Sequence, residues 1–414
     1  MPVNNSLRLI VLSLIASGLA TSLPSSPAHA ADEEQLKSGL ENQGHVDLDF
    51  RYRYELVDQA GLAKDANAST LRTRLGYRSP YLSGFAFQVE FDDLRTVGNE
   101  LYNSTRNGIT DRPTVADPEG TIVNQALVLY RGFENTEIGV GRRRINLDNQ
   151  RFVGAVGWRQ NDQTYDSISL RNTSFSNTTI KYVYIDKVNR IFGPDSGSPP
   201  ANFDSDSHVL NANYKFSPDW NVTAYGYFLD LKNALPLSSQ TIGVRVGGKI
   251  PFGEDITSSY TFEYASQQDY ADNPNSYSAD YLLLEAALTT AGITGKLGYE
   301  VLGSDSSQAF RTPLGTLHAF QGWADKFLTT PNGGIEDLYV SIATKLGGAN
   351  LALIYHQFEP EAGGPSYGTE WDLLAKKTFA KRYAVTLKYA NYDADSHATD
   401  TEKLWIMLSA NFGN

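Results

Sequence analysis

The sequence contains no cysteine. Beyond its first thirty residues, no stretch approaches the ~20 consecutive apolar residues that a membrane helix needs. The first absence removes disulfide staples, so an exported chain must be stabilised by size or by closure of its hydrogen bonding. The second removes helical membrane spans. No helical heptads, helix-sized amphipathic domain or repeat of roughly 20–50 residues appears. Positive charge is scarce: 35 Lys and Arg stand against 47 Asp and Glu, a formal net charge of −12. That balance argues against nucleic acid as a partner, although acidic outer loops can hide a basic interior. GxSxG and HExxH signatures are absent as well.

What is present begins with an export address. Arg8 supplies a weak basic n-region, Leu9 to Ala20 an apolar core too short to span a bilayer, and Ala28-His29-Ala30 a small-x-small cleavage site. Residues 1–30 are therefore expected to be a signal peptide, with the mature chain starting at Ala31. Residues 31–43 are polar and acidic and read as a short periplasmic lead. This lead is too short to be a partner domain, so any periplasmic secretion partner is a separate protein.

Residues 44–414 carry a period of two. In residues 46–56 every even position is apolar or aromatic (Val46, Leu48, Phe50, Tyr52, Tyr54, Leu56) and every odd position charged (Asp47, Asp49, Arg51, Arg53, Glu55). Such a period puts the two sets on opposite faces of a strand. It recurs where Leu71, Thr73 and Leu75 oppose Arg72 and Arg74, and where Phe85, Phe87, Val89 and Phe91 oppose Gln88, Glu90 and Asp92. Further on, Ile242 and Val244 oppose Arg245 and Lys249, and Val385, Leu387 and Tyr389 oppose Lys388. A soluble β protein could show the same alternation. The connections decide: tight turns near 79–84, 132–136, 171–177, 217–219, 251–255, 289–292, 347–350 and 380–382 alternate with mostly longer polar loops. Short inner turns, long outer loops and a Tyr-rich aromatic content of 12% describe an outer-membrane barrel, where every second residue meets lipid. The predicted fold is all-β: a transmembrane, antiparallel, up-and-down β-barrel of about eighteen strands. Outer-membrane lipid is its first partner, and a Gram-negative outer membrane its expected location.

Residues 138–166 concentrate five arginines: Arg142, Arg143, Arg144, Arg151 and Arg159. They read as an upward strand, a loop and the start of a downward strand, with guanidiniums in the lumen. If Ile138 and Val140 face lipid, strict alternation turns Arg143 inward and Arg142 and Arg144 outward. An outward Arg costs roughly 2–4 kcal/mol at midplane and little at the rim. Either the run lies at the rim, or a bulge at Gly139 or Gly141 reverses the register; the bulge is the reading preferred here. The segments 146–159 and 310–332 hold Phe152-Val153-Gly154 and Trp323-Ala324-Asp325-Lys326-Phe327. These are too apolar for solvated loop tips and are expected to fold inward and narrow the pore, or else to pack on each other outside.

RTRLG (72–76), VNQALVLY (123–130), GRRRINLDNQRFVG (141–154), WRQNDQTYD (158–166) and TPLGTLHAFQGWADKFLTTPNGG (312–334) together resemble the alginate export porin family. The last motif is the most specific. The resemblance implies a monomeric eighteen-stranded barrel with a narrow arginine-rich pore for an anionic polyuronate, and by motif position Arg74, Arg142 and Arg159 match its basic residues.

A polyuronate carries one carboxylate per sugar. Its passage needs permanent, spaced and individually weak cations, a role that the planar guanidinium fits. The candidate pore-lining residues are Arg51, Arg53, Arg72, Arg74, Arg142, Arg144 and Arg159. Glu55, Glu90, Asp92, Asp162 and Asp166 would hold them in place. Rows of Arg and carboxylate facing a lumen equally form cross-strand ladders that fill the interior, so each arginine stands open between the two roles. The second functional reading is uptake of small anionic nutrients such as sugar acids; the third is a barrel hydrolase. Against the third, none of His45, His208, His318, His356 and His397 adjoins a nucleophile motif, and a hydrogen-bonded structural role is expected for His318. The Asp47/Asp49 pair could mimic a polysaccharide hydrolase, but inside a barrel such carboxylates more often pair with Arg. No catalytic residue, cofactor or metal is predicted; a weak Ca²⁺ site in the 393–402 loop stays open, without EF-hand spacing.

Overall fold

A computed structural model describes residues 43–253, 255–306 and 308–413. The expected signal peptide (1–30) and all but the last residue of the lead (31–43) lie outside them. Among the described residues, strands β1 (His45–Gln59) to β18 (Thr401–Gly413) form one antiparallel sheet of eighteen, each paired with its chain neighbours. The sheet closes on itself: β1 pairs with β18 from Asp47↔Gly413 to Gln59↔Thr401. Closure is what hydrocarbon demands, since an open edge there would leave backbone groups unpaired at several kcal/mol each.

The period of two decides which residues meet lipid. On β18 the outward row runs through Leu404, Ile406 and Leu408, while Lys403 and Trp405 point inward and are buried. Outward side chains such as Val140, Ile168, Leu210, Ile242, Val340 and Leu408 are exposed, as a lipid-facing belt must be. At one end the strands are joined by tight turns. In the 347–348 turn both Gly347 and Gly348 take positive φ (57° and 78°), the geometry that matches strand twist in a two-residue hairpin. At the other end the loops 97–119, 144–163 and 303–334 are long. By the rule for such barrels the turn end is periplasmic and the loop end extracellular. The connection 230–238 was not distinguished in the sequence; it holds a single 3₁₀ turn, Leu235–Leu237.

The two apolar loop segments fold inward. Val153 of the 144–163 loop bridges Leu314 of the 303–334 loop in parallel. Phe152 packs against the inward wall residues Tyr225, Tyr227 and Tyr281 and against Phe310, with ring centroids 5.2–5.9 Å away. Phe327 sits 4.5 Å from Phe358 and 5.8 Å from Tyr392. The loops and most of the wall, from Tyr165 round to Trp405, thus share one apolar core.

The register around the arginine run corrects the preferred reading. The ladder of β4 (Gly120–Phe133) with β5 (Thr136–Arg143) is unbroken from Tyr130↔Ile138 to Ala126↔Arg142. No bulge reverses it. Gly141 has φ +127° and lies so close to β4 that an added Cβ would stand 2.9 Å from the Leu127 Cα. The glycine permits a tight approach without shifting the alternation. Arg142 therefore shares the outward row with Ile138 and Val140. It lies near the end of a strand of only eight residues, where the cost of outward charge is lower.

An outward Leu408→Arg substitution should lower stability by on the order of 2 kcal/mol, read as a shift in denaturant midpoint in lipid vesicles. Met407→Arg, on the inward row of the same strand, should cost less; equal losses would contradict the assignment of faces.

Candidate functional site

The inward loops are held on the side of β1, β2 (Ala66–Arg78) and β3 (Phe85–Thr96) by charge rather than by apolar packing. Arg74 donates from Nε and Nη2 to Asp92 (2.6 and 2.7 Å) and from Nη2 to Asp162 (2.7 Å). Arg144 donates from Nε to Asp162 (2.5 Å) and pairs with Glu90. Asn124 Nδ2 donates to both Glu90 (2.7 Å) and Asp162 (3.0 Å). Glu90, Asp92 and Asp162 converge within 4.8 Å, the one such group among the described residues. The spacing would suit a metal ion, but the Arg74 and Arg144 guanidiniums already supply positive charge there. The carboxylates of the 393–402 loop form no convergent group.

A second network lies beside it. Arg53 donates from Nη1 to Asp117 (3.1 Å) and from Nη2 to the Trp158 carbonyl. Arg159 donates to Glu55 (3.1 Å) and Asp325 (3.4 Å), and Lys403 donates to Asp325 (2.8 Å). Arg72 pairs with Asp49. Burial pushes the Asp325 carboxyl up, but Lys403, His318 and Arg159 outweigh it and hold the group well below the usual range. Burial likewise raises Asp117, and Arg53 with Arg159 bring it down again.

His318 lies at the junction. Its Nδ1 faces Asp325 Oδ1 at 2.8 Å, and Lys388 Nζ lies 2.6 Å from its Nε2. An ammonium can only donate, so Nε2 accepts and Nδ1 carries the proton: a neutral imidazole. Burial and then the Lys388 charge push its pKa well below the ordinary value, against Asp325. The ring stacks on Trp158 at 3.3 Å, and Lys388 Nζ lies 3.8 Å from the Trp323 centroid and 5.2 Å from that of Trp405. On the apolar side, buried Arg151 pairs with Glu300 (2.9 Å) and donates to Gln321 (2.9 Å).

The structure sorts the predicted residues. Arg51, Arg53, Arg72, Arg74, Arg144 and Arg159 face the lumen or lie within it, and Glu55, Glu90, Asp92 and Asp162 are their partners. Arg142 and Asp166 do not belong to that set. They pair with each other (2.6 and 2.9 Å) on the outward face, because both lie on outward rows of β5 and β6 (Thr164–Asn172). Arg143, not a candidate, is the inward member of the run and donates to Ser169. Arg144 reaches the lumen because the chain has already left the strand. Arg53, Arg72 and Arg159 are buried (0%, 4% and 5% exposed), so they brace the loops instead of facing an open passage.

Arg51 and Lys376 are inward cations without a carboxylate hydrogen bond. Arg51 donates to Gln160 Oε1 and the Gly157 carbonyl, both at 2.9 Å, and to the Arg159 carbonyl, all neutral. Lys376 of β16 (Gly368–Phe379) is half-buried, shares the inward face with Glu370 and Asp372, and has no hydrogen-bond or ion-pair partner among the described residues.

Residues 42–180 match the alginate export family model. That stretch carries every predicted site residue, from Arg51 to Asp166; the long motif at 312–334 lies outside it. No curated protein matches the chain. Among solved structures, OccAB4 of Acinetobacter baumannii is similar with a TM-score of 0.73 at 14% identity, covering 90% of this chain and 99% of that one. OccAB2 of the same organism gives 0.72 at 17%, covering 91% and 100%. Pseudomonas aeruginosa OpdK, solved with vanillate, gives 0.68 at 14%, covering 90% and 99%. At such identities the likeness is one of fold, that of outer-membrane porins. The alginate export match over 42–180 and the barrel likeness agree with each other on architecture.

Sequence reasoning missed Asp117, Asp325, Lys376, Lys388 and Lys403 as parts of the site. Lys388 stood visibly on a charged row. Asp117 and Asp325 sit in loops, where no period marks which way a side chain points.

Arg74→Met, which strands Asp92 and Asp162 without their guanidinium, should cost roughly 3–5 kcal/mol of unfolding free energy. His318 is neutral when folded, while the unfolded chain takes up its proton below about pH 6.5. Its contribution is therefore complete above that pH and lost on acidification. The denaturant midpoint should fall between pH 7.5 and 5, and His318→Gln should flatten that slope; an unchanged slope would refute the neutral assignment.

Proposed function

We propose that this chain is an outer-membrane channel for passive, anion-selective passage of an acidic polysaccharide of the alginate-like polyuronate kind, or its oligomers. The observation that carries the reading is the pair of inward cations, Arg51 and Lys376, whose hydrogen-bonding leaves their charge without a carboxylate partner. Most other lumen cations are neutralised locally by Asp or Glu. Net positive charge then falls on the wall below the inward loops, where a carboxylate on a passing sugar would meet it. The guanidinium of Arg51 is pinned by the 157–160 segment, while Lys376 keeps a flexible stem, which suits weak and reversible contact. The family match over 42–180 supports the substrate class. The channel needs no cofactor and no catalytic group for this role.

A second reading, uptake of small anionic nutrients such as sugar acids, rests on a different observation. The 144–163 and 303–334 loops interlock across the lumen around Phe152, Val153, Phe310 and Leu314. A cross-section narrowed in this way favours short solutes over a continuous polymer. OpdK, similar in fold, was solved with an aromatic carboxylate.

Conductance in planar bilayers separates the readings. Wild type should pass anions preferentially, and Lys376→Glu should lower the anion/cation permeability ratio by about threefold or more. Block by uronate oligomers at concentrations where monomeric acids do not block supports the first reading, and the reverse supports the second. Selectivity unaffected by Lys376→Glu would sink the role given to that cation.

A further inference from the structure

Two more cations lack a carboxylate partner, and they lie at the opposite end of the barrel. Arg190 follows β7 (Thr178–Asn189) at the start of the 190–201 loop, and Arg106 lies in the 97–119 loop. Both belong to the extracellular end. Arg106 is fully occupied by neutral acceptors: the carbonyls of Asp195 (3.1 Å), Thr105 (2.9 Å) and Pro199 (2.7 Å), and Thr105 Oγ1 (3.1 Å). These bonds tie the two loops together. The Arg190 guanidinium donates once, from Nη1 to the Pro200 carbonyl at 3.0 Å. Neither forms an ion pair among the described residues.

The rings fix where Arg190 sits. Its guanidinium carbon lies 4.6 Å from the centroid of Phe192 and 4.4 Å from that of Phe203. Phe203 belongs to the inward row of β8 (Asn202–Ser217) and is buried. Arg190 is therefore turned toward the lumen mouth, not toward lipid. The Arg106 guanidinium lies over the same Phe192 ring at 5.7 Å. Asn161 donates to the Ile191 carbonyl at 3.2 Å, which couples this loop to the inward 144–163 segment.

Two like charges held against one ring, with only neutral partners, repel each other. Burial and then Arg106 bring Arg190 down to about 10, a cost that a bound anion would relieve. The Nε and Nη2 donors of Arg190 are uncommitted and form one edge of the planar fork. That edge matches a carboxylate with two parallel hydrogen bonds, better than it matches a spherical halide.

We propose that Arg190, backed by Arg106 and positioned by Phe192 and Phe203, is an extracellular docking site for the carboxylate of a single uronate unit. The substrate class rests on the function proposed above; the anion site itself rests on the arginine geometry. The site would be the first contact for a saccharide arriving from outside, or the last for one leaving. It lies on the opposite side of the inward loops from Lys376, so the two cations serve the two mouths separately.

The test uses the full chain reconstituted in planar bilayers, with a galacturonate trimer added to one side at a time. Titration of the same trimer into detergent-solubilised protein runs beside it. From the loop side, the trimer should block wild type with an association rate about tenfold above that of Arg190→Gln. From the turn side the two should be equal. Arg190→Lys keeps charge and bulk but loses the fork, and should fall between; heat-modifiable gel mobility checks folding, and this variant carries the comparison if Arg190→Gln does not fold. Equal loop-side block and equal titrated affinity in wild type and variants overturn the site, and leave the channel reading standing if wild type is anion-selective. A wild type without anion selectivity that still binds the trimer through Arg190 keeps the site and removes the channel reading. Binding that depends on Arg190 for benzoate but not for the trimer overturns the saccharide assignment.

Discussion

Hydrocarbon offers no partner for a backbone N–H or C=O, and the whole molecule answers to that constraint. The chain satisfies it by pairing β1 with β18 across thirteen positions, leaving no edge among eighteen strands. Closure then creates an interior, and with it a second problem. A barrel of this girth is too wide for its wall side chains to fill. The 144–163 and 303–334 loops turn inward and occupy part of that space.

They are secured by opposite chemistry on the two sides. Against β9 (Trp220–Leu229) and β12 (Ser278–Thr290), the contact is mainly aromatic, Phe152 and Phe310 among Tyr225, Tyr227 and Tyr281, with one buried ion pair, Arg151 to Glu300, beside it. Against β1 to β3 it is ionic: Arg53, Arg74, Arg144 and Arg159 against Glu55, Glu90, Asp92, Asp117, Asp162 and Asp325. The two contacts make different demands. An apolar seam tolerates slip, whereas a buried ion pair whose partner moves away is left desolvated and unpaired. The ionic side therefore sets the position of the loops, and the aromatic side seals them. His318 and Lys388 join the sides where Trp158, Trp323 and Trp405 meet.

This division changes what an arginine-rich lumen means. Most of the guanidiniums are committed to holding the loops, and their charge is cancelled within a few ångströms. Among the cations left without carboxylates, Arg51 and Lys376 stand on the wall below the loops and Arg106 with Arg190 at the loop end. A polyanion would meet spaced positive points rather than a continuous lining, which limits how tightly any one of them holds it.

The amino-acid sequence alone determined the barrel. Alternation in segments such as 46–56 and 85–92 assigns each side chain to lipid or lumen, because the strand period leaves no third choice, and the tight turns punctuate it. The apolar content of Phe152-Val153 and Trp323 to Phe327 marked both loops as unfit for solvent, but left open whether they pack inward or on each other outside; the aromatic wall they meet decided it. The role of each charge was decided only by tertiary structure. Arg142 and Arg144 are two residues apart and chemically identical, yet one pairs outward with Asp166 and the other inward with Asp162 and Glu90. What separates them is where β5 stops, a consequence of the loop docking beyond it. Lys376 and Arg74 both sit on charged rows, but Arg74 meets Asp92 across the ladder and Asp162 from a loop, while no carboxylate among the described residues reaches Lys376. A local period records which face a residue takes, but not which distant segment will arrive opposite it.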